Sequence, residues 1–237
     1  MIKRFLAAAI AATLTLVASM ALAYEVSPLR IFMSPSAGRS AATIAVNNSG
    51  SEELLFEVKI LKRVVARDGT QTLEAAPDAF TIFPPQARVA PAKSQAVRIQ
   101  YAGPPVVDQS ASYIVQIAEV PVMKPGFSGV RFAYNFGVAV YVDPPRARPM
   151  LVVENQQTAE GKLRFSVRND GNGYGFVSGY SLKYVIGGKE VIIPPATLET
   201  LIASPIVPPN STRDFELDIE GIVAGQAAAV TLDDQKL

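Results

Sequence analysis

Along residues 130–142 apolar side chains fall on every second position: Val130, Phe132, Tyr134, Phe136, Val138, Val140 and Val142. A strand turns alternate side chains to opposite faces, so this spacing predicts one strand with all seven on one face. At about 3.3 Å per residue it would run on the order of 40 Å, about twice an ordinary strand. One reading is a long core strand of a sandwich. The other is a strand left partly uncovered because its purpose is to pair with another chain, since an idle apolar edge aggregates.

Shorter strand patterns fill the rest of the chain. Thr43–Val46, Leu54–Ile60, Ala96–Tyr101, Ser112–Ala118, Leu163–Val167 and Asp214–Ile219 alternate, or carry β-branched and aromatic residues. Turn chemistry separates them, as in Asn47-Asn48-Ser49-Gly50, Arg67-Asp68-Gly69, Asn169-Asp170-Gly171 and Pro208-Pro209-Asn210. Ala227–Leu232 offers a last strand, and no capped helix of ordinary length stands out. The chain is therefore all-β, built as β-sandwiches. The stretch Asp143-Pro144-Pro145-Arg146-Ala147-Arg148-Pro149 predicts a stiff, extended connection between two of them.

The halves echo each other. Asn47-Asn48-Ser49-Gly50 recurs as Asn169-Asp170-Gly171 at a spacing of 122 (169 minus 47), and Lys93-Ser94 before a strand recurs as Asn210-Ser211 at 117 (211 minus 94).

The N-terminus reads as a targeting segment. Lys3 and Arg4 precede the apolar run Phe5–Leu22, which closes on Ala21-Leu22-Ala23, so residues 1–23 are expected to be a secretory signal peptide and Tyr24 the mature N-terminus. The remaining 214 residues (237 minus 23) suit two domains of about a hundred residues. The expected division is 24–143, a linker at 144–149, and 150–237. No other apolar run is long enough to insert in a membrane.

Composition narrows the chemistry. The chain has no Cys and no His, which removes disulfides, thiolate or imidazole metal sites and the commonest catalytic bases. With 22 basic and 21 acidic residues there is no bulk charge to draw nucleic acid. Glu52-Glu53 and Asp233-Asp234 fall in turns or the tail, Lys93-Ser94 sits in a turn, and no phosphate loop or EF-hand occurs. No catalytic residue, metal or cofactor is expected. The chain is expected to bind rather than catalyse.

Several motifs, in order, resemble the periplasmic chaperones of the chaperone–usher pilus pathway. Val26-Ser27-Pro28-Leu29-Arg30-Ile31-Phe32 is similar to that family's opening strand, and Thr43–Gly50 to its second. Phe83-Pro84-Pro85, then Pro91 through Val97-Arg98-Ile99, resembles its Pro-Pro … Gln-x-Val-Arg run. Ser112-Tyr113 with Glu119-Val120-Pro121 resembles its Ser-Tyr … Glu-Ile-Pro strand, and the ribbon before Pro144 falls where the family has its subunit-binding strand. The resemblance implies two Ig-like sandwiches in an L or boomerang. It implies a chaperone that binds and caps pilus subunits by donating a strand and delivers them to an outer-membrane usher. Val130, Phe132, Tyr134 and Phe136 become the donor positions, and a self-dimer or disorder over 122–130 is expected to shield them when no subunit is bound. The family holds the subunit's terminal carboxylate with an arginine, matched here by Arg30, and a late-strand lysine. That lysine is replaced by Ala139, which points to a divergent, archaic-like branch. Arg98 is the expected substitute, with Lys62, Arg63 and Arg131 behind it.

Two other readings compete. A pilus subunit or secreted adhesin would normally be one incomplete domain, too short for this chain. A carbohydrate-binding sandwich would expose aromatic platforms; Trp is absent, which leaves Tyr174 and Tyr180.

Overall fold

The computed structural model describes residues 24–122, 126, 128–130, 132–159, 161–219 and 228–234. The expected signal peptide, most of the 123–127 loop and Arg131 lie outside them. Two hydrophobic cores are present, one drawn from residues 24–142 and one from residues 163–230, so the chain is a two-domain β-sandwich protein.

The first sandwich contains β1 (Glu25–Ser27), β2 (Arg30–Met33), β3 (Ala41–Asn48), β4 (Leu54–Val65), β5 (Gln71–Ala75), β6 (Phe80–Phe83), β7 (Gln86–Val89), β8 (Lys93–Tyr101), β9 (Ala111–Glu119) and β10 (Asn135–Val142). One sheet runs β1-β3-β8-β6. The other runs β2-β10-β9-β4-β5, with β7 also paired to β4. Alternation in the sequence becomes the two faces of each sheet. Ile44, Val46, Val97, Ile99, Val115, Ile117, Val138 and Val140 are fully buried between the sheets, while the residues between them face outward.

The second sandwich contains β11 (Leu151–Ala159), β12 (Lys162–Asn169), β13 (Gly175–Phe176), β14 (Tyr180–Ile186), β15 (Lys189–Ile193), α1 (Pro195–Leu201), β16 (Ile206–Val207), β17 (Ser211–Asp218) and β18 (Ala228–Asp234). Its sheets run β11-β12-β17, β13-β16 and β15-β14-β18 around Leu163, Phe165, Leu182, Leu198 and Leu217. The short helix α1 was not expected. It starts on Pro194-Pro195 without a side-chain cap and is held by burial of Leu198 rather than by a local signal.

Two sequence expectations change. The strand expected over 130–142 begins only at Asn135. Its neighbour β9 ends at Glu119, and the next position that would face β10 is Pro121, which has no amide to donate, so the ladder from β9 closes at Tyr134. The connection at 143–149 is not simply extended. It folds through a turn at Pro145-Arg146, with Arg146 at φ 56° and the Ala147 amide donating to the Pro144 carbonyl.

Candidate subunit-binding edge and interdomain cleft

Burial changes steadily along the alternating ribbon. Val130, Phe132 and Tyr134 are 82%, 74% and 50% exposed, Phe136 is half-buried against the first core, and Val138, Val140 and Val142 are fully buried. One run of apolar side chains therefore passes from solvent into the sandwich.

The backbone has a matching asymmetry. On one side β10 pairs with β9 from Asn135 to Val142, but on the other it pairs with β2 only from Ala139 to Val142. The Ala139 amide donates to the Leu29 carbonyl on that second side. Alternate strand residues direct their hydrogen-bonding groups to opposite sides, so Asn135 and Gly137 turn theirs the same way, beyond the end of β2. This open edge leads directly into the exposed apolar segment.

At the root of the segment, Tyr134 is tied to the sandwich. Its amide donates to Glu119 Oε2 at 3.1 Å, and its carbonyl accepts from the Glu119 amide at 3.0 Å and the Tyr24 hydroxyl at 2.5 Å. The Tyr24 ring is buried, with its centroid 4.9 Å from Phe136 and 6.0 Å from Tyr134. Burial, followed by the nearby Glu119 carboxylate, pushes the Tyr24 hydroxyl well above the usual phenol range and keeps it a donor.

Farther along β10 the outer face meets the second sandwich. Phe32 and Tyr141 stack at 5.1 Å, and Tyr174 and Phe176 pack edge-on to Tyr141 at 5.1 and 5.4 Å. Burial pushes the Tyr174 hydroxyl up to about 12. Tyr174 is thus part of the domain junction rather than an open sugar platform, and Tyr180 is itself half-buried.

Two arginines flank these rings. Arg30 lies 4.9 Å over Phe176, is exposed, and is the register partner of Ala139. Arg63 is buried; it donates to Ser112 Oγ at 3.0 and 2.7 Å and to the Tyr141 hydroxyl at 2.6 Å, with its guanidinium 5.3 Å over that ring. Sequence reasoning ranked Arg63 only as a fallback, because its partners, Ser112 and Tyr141, lie 49 and 78 residues along the chain and leave no mark in the β4 pattern.

Arg98 falls elsewhere. It sits on β8 between buried Val97 and Ile99 and opposite Thr43, so it faces outward from the β1-β3-β8-β6 sheet. Arg30 faces outward from the other sheet. The two side chains leave opposite faces of one sandwich and do not converge on one carboxylate, because strand parity told the direction of Arg98 but not its sheet.

A second tie between the domains runs through the tip of the β4–β5 hairpin. The Arg67 carbonyl accepts from the Asp214 amide at 2.8 Å and from the Arg213 guanidinium at 3.2 Å, and Arg67 pairs with the Asp214 carboxylate at 2.9 Å. Among the described residues no group of acidic side chains has the arrangement to hold a metal ion, and no helix is long and apolar enough to cross a membrane.

The model of the pili and flagellar-assembly chaperone family, PapD N-terminal domain, matches residues 24–148, and the chain belongs to that family. Solved structures share the whole two-domain fold. The Pseudomonas aeruginosa CupB2 chaperone is 18% identical, with 88% of this chain and all of that chain covered and a TM-score of 0.53. A CsuC–CsuE chaperone–tip subunit pre-assembly complex from the archaic Csu pili of Acinetobacter baumannii gives 14% identity, 87% and 96% coverage and a TM-score of 0.55. A Salmonella enterica SafA pilin–SafB chaperone complex gives 19%, 91% and 98%, and 0.53. No curated protein sequence matches the chain. The protein is a pilus assembly chaperone.

Proposed function

We propose that this chaperone binds incomplete pilus subunits in the periplasm by lending them a strand, and passes them to an outer-membrane usher. The observation that carries this reading is the coincidence on one segment of an apolar stripe passing from exposed to buried and a backbone edge paired on one side only. A subunit strand laid along Asn135 and Gly137 gains main-chain bonds. Val130, Phe132 and Tyr134 fill the subunit's own gap and fix its register. Relatives of the same fold are seen with a pilin or a tip subunit, which fits such a client. Residues 1–23 supply export, and a second copy of the chaperone covers the apolar segment while no client is present.

Each large side chain buried in the client contributes about 1.5–3 kcal/mol before the costs of association. Phe132→Asp therefore abolishes recovery of a co-expressed pilus subunit from periplasm. The chaperone itself stays folded, because Phe132 lies outside its core. A variant that still protects the subunit from proteolysis overturns the assignment.

A further inference from the structure

Resting on the reading above, we propose that Tyr24 and Glu119 form a latch on Tyr134 that fixes the root of the client-binding segment, which makes Tyr24 a positioning residue for strand donation. The ladder between β9 and β10 closes at Tyr134, opposite Glu119, the last residue of β9. The Glu119 carboxylate takes the Tyr134 amide, and the Tyr24 hydroxyl joins the Glu119 amide on the Tyr134 carbonyl. Both polar backbone groups of Tyr134 are held, two of the three bonds coming from side chains.

Tyr24 is anchored in turn. It leads into β1, which pairs with β3 in the opposite sheet from β10. Its ring bridges the two sheets at the open end of the sandwich and meets Phe136, the first half-buried residue of the stripe. Beyond the latch the segment borders an open groove of ≈ 450 Å³ shared with the turn at Asn48–Leu54. Held at Tyr134, Phe132 and Val130 keep the parity of β10 as they enter the client. Released, the segment pivots at Asn135, and the alternate side chains lose the register the client requires.

A buried aromatic plug would account for the ring but not for the hydroxyl, so Tyr24→Phe separates the two. Tyr101→Phe is the control: a partly buried tyrosine packed on Phe80, remote from the segment. The full-length exported protein and the pilus subunit of its own gene cluster, with the subunit's N-terminal extension deleted, serve as the pair. Loss of one neutral hydrogen bond predicts dissociation about three- to tenfold faster for Tyr24→Phe and unchanged for Tyr101→Phe. Without client, the Tyr134 and Phe136 amides, which face β9, exchange faster by a similar factor only in Tyr24→Phe. A wild-type protein that binds no subunit overturns the functional reading and the positioning role with it. Equal off-rates for wild type and Tyr24→Phe overturn the positioning role alone, and unchanged amide exchange overturns the latch.

Discussion

Asn48 and Asn169 hold the same position in the two sandwiches. Each is the last residue of its strand, β3 or β12, and each is buried. Each carboxamide oxygen accepts the amide of a glycine two residues on, Gly50 or Gly171, at 3.0 Å. Each Nδ2 donates to the carbonyl of a valine before a proline turn, Val89 at 2.8 Å or Val207 at 3.1 Å. The sandwiches thus lock one strand end to a distant turn by the same device, 121 residues apart (169 minus 48).

Replacing either asparagine with alanine leaves buried groups without partners, at about 1–3 kcal/mol for each group that water cannot reach. Each Nδ2 also donates to the carbonyl four residues on, Glu52 or Gly173, but Asn169→Ala costs more, since Asn169 alone receives a second amide, from Met150, and reaches the Pro208 carbonyl. Denaturant unfolding followed by probes in each domain checks this: Asn48→Ala lowers the midpoint of the first sandwich, and Asn169→Ala that of the second.

The same pair shows how much was legible in the sequence. The echo between the halves was visible, but it was set one residue off, on Asn47. Parity decides the matter: Ile44, Val46 and Asn48 share the core face, while Asn47 turns outward and accepts from the Ser94 hydroxyl. The strand segments and the apolar stripe followed from alternation and turn residues, which are local signals. Where the stripe leaves the sandwich did not, because that depends on where β9 ends. The placements of Arg63 and Arg98 were hidden for a related reason: a charged strand residue shows its face in the sequence, but not what covers that face.

Arg63 makes a sharp stability prediction. It is a buried guanidinium whose hydrogen-bonding partners among the described residues are the hydroxyls of Ser112 and Tyr141. Arg63→Ala leaves the Tyr141 hydroxyl without its donor at the domain junction, while Ser112 keeps its bond with the Tyr174 hydroxyl, and costs about 1–3 kcal/mol, an estimate from one unpaired buried group. Arg63→Lys recovers little, because an ammonium lacks the planar fork that reaches both oxygens. Thermal unfolding checks the loss, and exchange at Tyr141 and Tyr174 should report a loosened junction.

The hairpin tie responds to acid. Its bond with Arg67 holds the Asp214 carboxylate below the usual value of 3.8, with Ser166 assisting. The folded state therefore binds fewer protons than the unfolded state, so the pair's contribution is complete above that value and fades as pH falls through the lowered pKa. Both side chains are largely exposed, so the effect on global stability is small. It is read locally: in acid, the Asp214 amide bonded to the Arg67 carbonyl exchanges faster, and Asp214→Asn removes that pH dependence.

The carboxylate anchor gives the most direct test of the client site. Arg30 faces solvent beside Ala139, and on the proposed reading it is the cation that meets the client's terminal carboxylate. A charge-assisted bond partly shielded from water is worth about 1.5–3 kcal/mol. Arg30→Ala then weakens client binding by roughly ten- to a hundredfold, mostly through a faster off-rate. Arg98 leaves the opposite sheet, so Arg98→Ala leaves affinity unchanged, and the double variant matches Arg30→Ala alone. Amidating the client's C-terminus removes the charge while keeping the strand pairing, so the amidated client binds wild type and Arg30→Ala equally. If Arg30→Ala weakens the free-acid and amidated clients to the same extent, Arg30 acts through its contact with Phe176 and the domain junction, and the carboxylate is held by another cation.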